Sequence, residues 1–231
     1  MIDMFEISKR GRVLNRGDIQ DSYTNLAVNS KLDNYRIYTI EQLISGEKKI
    51  IRGRDVPEYL FDFIGERGKV LGIGNVIRGR VYSIKFKSLE DKKFLTVGVK
   101  RCLPYGLGGL CSDFKYGSWV TLVEGEKDRD SLSLVGDNVL STSTAGAGSI
   151  MREVLLSLTN RFVLYYDNDD TGRKAVYREK KMLEKRGCEV LIGPYPDGCH
   201  DPGTIADLDF KMSSFEREFY MDVFRSFLNS I

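Results

Sequence analysis

Histidine is almost absent from this chain of 231 residues, which has His200 alone and four cysteines. The cysteines show no CxxC spacing, and one histidine cannot complete a usual Cys/His set, so the sequence argues against a zinc site. We therefore expect reduced, structural thiols. The pattern GxxxxGK[ST] is missing as well, which argues against a P-loop ATPase or a fused helicase.

Long apolar runs are also missing. No stretch approaches the ~18 apolar residues that a membrane-spanning helix needs, and the N-terminal MIDMFEISKR lacks the apolar core of a signal peptide. Hydrophobic residues make up 42% and charged residues 29% of the chain, which is ordinary for globular proteins. We expect a cytoplasmic protein of one or two domains without a membrane partner.

The small net charge of +2 conceals an asymmetry along the chain. Residues 1–118 contain 21 Lys and Arg against 14 Asp and Glu, whereas residues 119–231 contain 14 against 19. A basic first half and an acidic second half indicate one polyanion, held directly by the first half and through bound cations by the second.

The second half alternates between strand and helix patterns. Strands are predicted at 119–123, 138–143, 161–166 and 189–195, and helices at 127–135, 150–158 and 171–186. Repeated strand–helix–strand units form parallel sheets with right-handed crossovers. The predicted fold is therefore α/β, with about four parallel strands flanked by helices.

Acidic residues follow the predicted strands. Glu124 ends the first strand, Asp167 and Asp169 end the third, and Asp201 follows the fourth. Since parallel sheets bind ligands at the carboxyl ends of their strands, these acids should converge there. If strand geometry persists beyond Asp167, Asp167 and Asp169 share one face. Asp170 is either a helix cap or a further member of the site.

The first half reads as a smaller, mixed α+β region with a basic hairpin. A helix is predicted at 58–68 and a hairpin at 79–100, with its turn at 89–92 and lysines on one face. The GIGN stretch at 72–75 is interpreted as a turn. At the other end of the chain, a C-terminal helix is predicted, with a core-facing stripe of Phe215, Phe219, Val223 and Phe227.

Three stretches of the second half, LVEGEKD, YYDNDDTGRKA and HDPGTIADL, together resemble the toprim domain shared by bacterial-type primases, topoisomerases and some nucleases. The EGxxD form and the DxDxxGRKA run are most similar to DnaG-type primases. The resemblance implies that Glu124, Asp167 and Asp169 are catalytic and bind Mg²⁺ or Mn²⁺ as a two-metal site, with Asp128 and Asp201 as further ligands. Gly203 occupies a position where the family often has a second carboxylate.

The resemblance extends more weakly into the basic half. RGRVYSIKF and KKFLTV are similar to primase segments, which implies nucleic-acid or nucleotide contacts by Arg80 and Lys93. The nearby Lys85 and Lys87, and Arg173 and Lys174 after the DxD motif, are further candidates for these contacts. A solvated, solubilising face is the alternative interpretation of the hairpin charges.

The expected protein is a phage-like primase core. Residues 1–117 would hold single-stranded DNA template, 118–211 would form the toprim domain, and 212–231 a C-terminal helix. The reaction would join ribonucleoside triphosphates into short RNA primers, with a separate helicase or zinc-binding partner for unwinding and template recognition.

The sequence is compatible with other functions as well. A toprim nuclease would use the same acids to activate water, and a non-catalytic nucleic-acid-binding toprim protein would tolerate their loss. The run 167–171 also fits the DxDxT motif of haloacid-dehalogenase-like phosphatases, although that family has further motifs well downstream of it. No tyrosine can be singled out as a topoisomerase nucleophile.

Overall fold

The computed structural model describes residues 4–30, 32, 34–45, 56–99, 102–144, 146–211 and 213–231. The chain divides into two compact units, Met1–Lys100 and Arg101–Ile231. The division lies before the 117/118 boundary that the sequence predicts. Residues after 101 pack with the second unit because Tyr105 and Ser141 exchange backbone hydrogen bonds of 2.9 and 3.0 Å.

The first unit combines short helices with an antiparallel sheet. Within its described residues the sheet has the strand order β1-β2-β3-β4-β5. The elements are α1 (Met4–Arg10), β1 (Arg12–Val13), α2 (Ser22–Asn29), β2 (Tyr35–Tyr38), α3 (Ile40–Ile44), α4 (Glu58–Gly65), β3 (Val70–Ile77), β4 (Arg80–Ser88) and β5 (Phe94–Gly98). The predicted helix after residue 58 is thus present but ends at Gly65.

The predicted hairpin is confirmed. Strands β4 and β5 pair antiparallel, with Lys87 opposite Phe94. The turn that joins them is held by Ser88, whose hydroxyl accepts hydrogen bonds from the N–H groups of Glu90 and Asp91 at 3.2 and 3.1 Å. The charged candidates at 85, 87 and 93 therefore belong to one hairpin.

The interpretation of 72–75 as a turn is wrong. These residues lie inside β3, with Gly72 opposite Phe86 and Gly74 opposite Ile84. The glycine at 72 has a packing reason, since a side chain there would collide with the ring of Tyr38. Close approach of an aromatic ring to the strand, rather than chain reversal, explains the glycine at 72.

The second unit is an α/β domain. Its elements are β6 (Val120–Val123), α5 (Glu126–Leu132), β7 (Val139–Ser141), α6 (Ser149–Leu158), β8 (Arg161–Tyr165), α7 (Asp170–Glu184), β9 (Glu189–Ile192), α8 (Thr204–Phe210) and α9 (Ser214–Leu228). In the described residues the strands form a parallel sheet of four, as predicted, and their order is β7-β6-β8-β9. Among the described helices, none has both the length and the apolar character required to cross a bilayer.

Helices cover both faces of this sheet. Leu164 of β8 packs in one cluster with Val176 of α7 and residues of α6. The next residue, Tyr165, packs in the opposite cluster with residues of α5, α8 and α9, including an edge-to-face contact of 5.4 Å with Phe224. Successive side chains of a strand point to opposite faces of the sheet, which explains this alternation. Because helices cover both faces, the carboxyl ends of the strands remain as the open edge.

The C-terminal helix α9 exists, but the predicted core stripe is only partly right. Phe215 and Phe219 are 85% and 52% exposed, whereas Met221 and Phe224 are buried. A strict four-residue spacing drifts around a helix of 3.6 residues per turn, so such a stripe cannot remain on one face. The face that packs on the sheet carries Met221 and Phe224, together with the partly buried Phe227.

Candidate active site

The predicted meeting of two distant acids occurs at the carboxyl edge of the parallel sheet. Strands β6 and β8 are neighbours, with Val123 in register with Tyr165. Glu124 therefore emerges beside the loop that follows β8. The backbone N–H of Asp167 donates to Oε1 of Glu124 at 3.3 Å, although the two residues are 43 positions apart in the sequence.

Asp128 also reaches this edge from the first turn of a helix. It is the third residue of α5, and its Oδ2 accepts the N–H of Gly125, the residue before the helix, at 2.8 Å. The side chain is buried, and its surroundings include Asp201 and Asp167. Burial raises the pKa of Asp128, and the negative charge of Asp201 raises it further. Asp128 thus stabilises the turn after Glu124 and adds negative charge to the site.

A second loop brings Asp201 to the same place. Asn168, between the two aspartates of the DxD motif, donates its backbone N–H to the carbonyl of His200 at 2.6 Å. Its side-chain amide donates to the carbonyl of Cys199 at 3.2 Å. Asp201 follows directly in the chain, and its charge raises the pKa of Asp167. In the sequence, Asn168 appears only as the variable position of the motif.

The end of β8 differs from the prediction. The strand stops at Tyr165, and Asp169 is the N-cap of α7, its Oδ1 accepting the N–H of Gly172 at 2.7 Å. Asp170 does not cap the helix; it is the first helical residue, 88% exposed, and pairs with Arg173 at 2.7 Å. The helix begins at residue 170 rather than at the predicted 171. The N-cap is therefore Asp169, one residue before Asp170.

The carboxylates raise one another's pKa values. Burial, followed by the charge of Asp167, raises the pKa of Glu124 to about 7. Burial, followed by the charges of Asp201 and Asp169, raises the pKa of Asp167 to about 6. Such shifts appear where like charges are held together in a partly desolvated place, and they are typical of functional sites.

The donor set fits a hard divalent cation. Within the described residues, no group of three or more His, Cys, Asp or Glu side chains already has the arrangement of a metal site. The four acids Glu124, Asp167, Asp169 and Asp201 nevertheless interact electrostatically at one edge. They offer only carboxylate oxygens, which are the ligands that suit Mg²⁺ and Mn²⁺.

Lys127 is a member of this edge that the sequence reading missed. Its side chain is 13% exposed, and its ammonium contacts both carboxylate oxygens of Asp207 at 2.9 and 3.0 Å. The charges of Asp207, Asp201 and Asp128 raise its pKa despite burial. Its place in the EGEKD run, next to Asp128, was the available signal. Lys127 provides the acidic edge with a permanent positive charge.

Position 203, where the resemblance implies a second carboxylate, is closely surrounded by other side chains. A Cβ at Gly203 would collide with Oδ1 of Asp128 and Cε of Lys127, and would lie 3.0 Å from Oδ1 of Asp201. In this chain the space is therefore filled by side chains from α5. The same three groups cluster around Gly203, so the glycine allows the loop to approach α5 closely.

The basic candidates of the hairpin differ in their availability. Arg80 is exposed, and Lys93 is 69% exposed and lies 3.7 Å from Asp91. Lys85 lies over the ring of Phe94 at 4.6 Å. Lys87 is only 12% exposed and pairs with Asp21 at 2.6 Å, so most of its charge is neutralised within the unit.

The basic candidates after the DxD motif lie on α7. The Nη1 atom of Arg173 donates to both the backbone and the side-chain oxygen of Asn168, at 2.9 and 3.1 Å. Lys174 is exposed to solvent. Arg173 therefore stabilises the loop that carries Asp167 and Asp169, besides placing a positive charge beside it.

Comparisons with known proteins agree with this geometry. Residues 121–205 match the family described as Toprim-like. A DNA primase of Aquifex aeolicus is 26% identical over 191 residues, which cover 82% of this chain and 36% of the relative. The chain thus spans about a third of the length of that curated relative.

Solved primases share the fold. The structure of the zinc-binding and RNA polymerase domains of the Aquifex aeolicus primase aligns with a TM-score of 0.68 and 22% identity, covering 96% of this chain and 59% of that one. A DnaG primase catalytic domain bound to single-stranded DNA aligns with a TM-score of 0.50 and 22% identity, covering 67% of this chain and 55% of that one. Residues 121–205 therefore match the Toprim-like family, and the chain shares its fold with solved DnaG-type primase cores.

Proposed function

We propose that this protein is a primase-type nucleotidyltransferase that joins ribonucleoside triphosphates into short RNA primers on a single-stranded DNA template. The observation that supports it most directly is the contact between Glu124 and Asp167. Two carboxylic acids from separate strand ends are held together with raised pKa values. That arrangement is costly for the protein alone and useful for holding cations against phosphates.

The acids would have distinct roles. Asp167 and Asp169 would be the principal ligands of Mg²⁺ or Mn²⁺, with Asp201 as a further ligand. When bound, two such ions would neutralise the charge that develops on the transferred phosphoryl group. Asp169 also caps α7 through Gly172, which fixes the direction of the ligand loop. Asp128 would support the site from α5, since its Oδ2 already holds Gly125.

Glu124 is suited either to bind a cation or to accept a proton. A pKa of about 7 leaves its carboxylate partly ionised at neutral pH. A general base works best when its pKa lies near the operating pH. The proton to be accepted is that of the attacking 3′-hydroxyl, and pyrophosphate leaves from the α-phosphorus.

The first unit would hold the template. Its hairpin presents the exposed Arg80 and Lys93, and Lys85 beside the ring of Phe94. Cations beside aromatic rings are typical of surfaces that bind single strands. The primase fold of a neighbour determined with single-stranded DNA supports this assignment. A separate helicase or zinc-binding partner would supply unwinding and sequence recognition, inside the cell.

The test is the incorporation of labelled ribonucleotides on mixed single-stranded DNA templates with Mg²⁺ or Mn²⁺. Replacing Asp167 by asparagine removes a ligand charge without changing size. We expect product formation to fall at least about a hundredfold, since several kcal/mol of charge stabilisation are lost. The matched control is Asp222→Asn on α9, where the acid is 69% exposed and pairs with Arg225; it should retain full activity.

A parallel reaction distinguishes the nuclease. Labelled single strand is incubated with Mn²⁺ and without triphosphates. Cleavage that depends on Asp167, with no incorporation on any template, would replace the primase proposal with a toprim nuclease. Neither cleavage nor incorporation, with intact DNA binding in Asp167→Asn, would favour a non-catalytic binding protein.

A further inference from the structure

A pocket opens directly beside Asp167, and its lining adds residues to which no role has been given above, among them Tyr177 and Ile192. It has a volume of about 310 Å³ and lies within the second unit, on the sheet face covered by α7. This size is at the small end of ligand pockets, which begin near ~300 Å³. It suits a planar ring with part of a sugar better than it suits a folded peptide.

The lining of the pocket combines apolar and charged groups. The buried side chains of Leu164, Tyr166 and Val176 form its inner surface. Asp167 and Arg173 supply opposite charges on its lining. An apolar interior with a few polar groups at its border is the usual character of a small-molecule site.

Two large apolar side chains of the pocket are left exposed. Tyr177 is 66% exposed and Ile192 is 39% exposed, and both line the pocket. Tyr177 follows Arg173 by four residues on α7, so the two side chains share a helix face. Ile192 is the last residue of β9, at the edge of the sheet. An exposed aromatic beside an apolar residue and a cation is suited to stacking a flat ring.

We propose that this pocket binds the base of a ribonucleoside triphosphate, with Tyr177 as the stacking residue. The inference rests on the proposed function, because the phosphates of the same nucleotide would be held at the neighbouring carboxylates. Stacking does not discriminate strongly between bases, so all four ribonucleotides should enter. Tyr177 would then determine nucleotide affinity without touching the reacting atoms.

The first experiment isolates the pocket from the cation site. Saturation-transfer NMR is recorded with adenosine, which has no phosphate, and without divalent cations. We expect transfer to the base protons in the wild type and in Tyr177→Phe, and its loss in Tyr177→Ala. Since Tyr177 is mostly exposed, its truncation leaves the core intact. The matched control is Tyr116→Ala, which removes a tyrosine that is 64% exposed and outside the pocket.

The second experiment uses calorimetry in the presence of Mg²⁺ to compare the binding of two ligands. One is ATP and the other is tripolyphosphate. Tyr177→Ala should weaken ATP binding by about 5- to 100-fold, the size of one lost stacking interaction. Tripolyphosphate binding should remain unchanged, because it lacks a base. Equal ATP affinity in the wild type and in Tyr177→Ala, or no adenosine signal in the wild type, would overturn the proposal.

Failure of this pocket and failure of the proposed function are distinguishable. If the wild type makes no primers but adenosine contacts depend on Tyr177, the pocket stands and the activity does not. If primers form and the KM for ribonucleotides is unchanged in Tyr177→Ala, the pocket is refuted and the activity stands. Loss of oligothymidylate binding in Tyr177→Ala, with unchanged ATP affinity, would refute the proposal by assigning the tyrosine to the template strand.

Discussion

Asn168 joins the loop after β8 to the carbonyl of His200 through a backbone hydrogen bond of 2.6 Å. Its side-chain amide adds a second bond, to the carbonyl of Cys199 at 3.2 Å, and its oxygen accepts from Arg173 at 3.1 Å. A residue between two acidic ligands thus connects three segments. This connection, rather than the acids themselves, holds the loop of Asp201 near Asp167.

Replacing Asn168 by aspartate keeps the shape and removes the amide donor. The carbonyl of Cys199 loses a partner, and a further negative charge enters between Asp167 and Asp169. Both effects destabilise the protein, and we expect a loss of about 1–3 kcal/mol. Thermal unfolding without divalent cations measures it. The control Asn229→Asp, at the exposed C-cap of α9, should cost less than about 1 kcal/mol, from the new charge at the helix C-terminus; an equal effect of the two substitutions would contradict this role.

The raised pKa of Glu124 predicts an unusual pH dependence. Its pKa is about 7 in the folded protein, against an ordinary value of 4.5. Between these values the folded state binds more protons than the unfolded state, so the free energy of unfolding decreases as pH rises from about 4.5 to 7. We expect Glu124 to contribute a loss of about 1–2 kcal/mol, less than the full shift would give because water still reaches the carboxylate.

Glu124→Gln should abolish that contribution, and denaturant titrations at a series of pH values measure it. A divalent cation should oppose the same effect in the wild type, since it binds the ionised form and releases protons. Magnesium or manganese affinity should therefore increase from pH 5.5 to 8. An unchanged pH profile in Glu124→Gln would show that the carboxylate is not responsible.

Gly172 has a steric role that the motif alone does not reveal. A Cβ at this position would collide with the backbone carbonyl oxygen of Asp167. We expect Gly172→Ala to lower the free energy of unfolding by about 2–3 kcal/mol and to displace the ligand loop. The added methyl meets backbone atoms, so rotation of a neighbouring side chain cannot relieve the clash. Thermal unfolding measures the cost. Gly65→Ala on α4 is the control, because nothing lies within 4 Å of the added methyl. Equal melting temperatures for the two variants would exclude the clash.

The sequence predicted the site where regular geometry determined it. Glu124 and Asp167 meet because parallel strands end at a common edge, and strand positions can be read from apolar runs. The helix cap was not predictable in the same way. Either Asp169 or Asp170 is chemically suited to cap α7. Which of them does so depends on whether the helix begins one residue earlier or later.

Packing details were the other limit of sequence reasoning. The glycine at 72 is explained by the ring of Tyr38, and the tyrosine approaches it only after β2 and β3 pair. Likewise, Lys87 appeared equivalent to its neighbours on the hairpin, although Asp21 neutralises it. Both contacts join residues far apart in the chain, for which no local pattern exists.

Two ion pairs with very different surroundings connect α6 to α7 and to the turn that follows α7. Arg152 donates to both carboxylate oxygens of Glu179 at 2.9 and 3.0 Å, and the glutamate is 1% exposed. Arg186 and Glu153 also form a bidentate pair, through Nη1 and Nη2 at 2.9 Å, but their side chains are 51% and 62% exposed. The distances are similar in the two pairs, so their main difference is burial.

Replacing one partner of the buried pair should therefore reduce the free energy of unfolding far more than replacing both partners. Arg152→Met leaves the carboxylate of Glu179 buried without its partner, and we expect a loss of about 3–5 kcal/mol. The double variant Arg152→Met with Glu179→Met leaves no charge to desolvate, so it should recover most of that loss. Arg186→Met, in the exposed pair, should change stability far less than Arg152→Met does, because water replaces the arginine. Chemical denaturation of the four proteins measures these differences, and a double variant as unstable as Arg152→Met alone would show that apolar side chains cannot fill the space between α6 and α7.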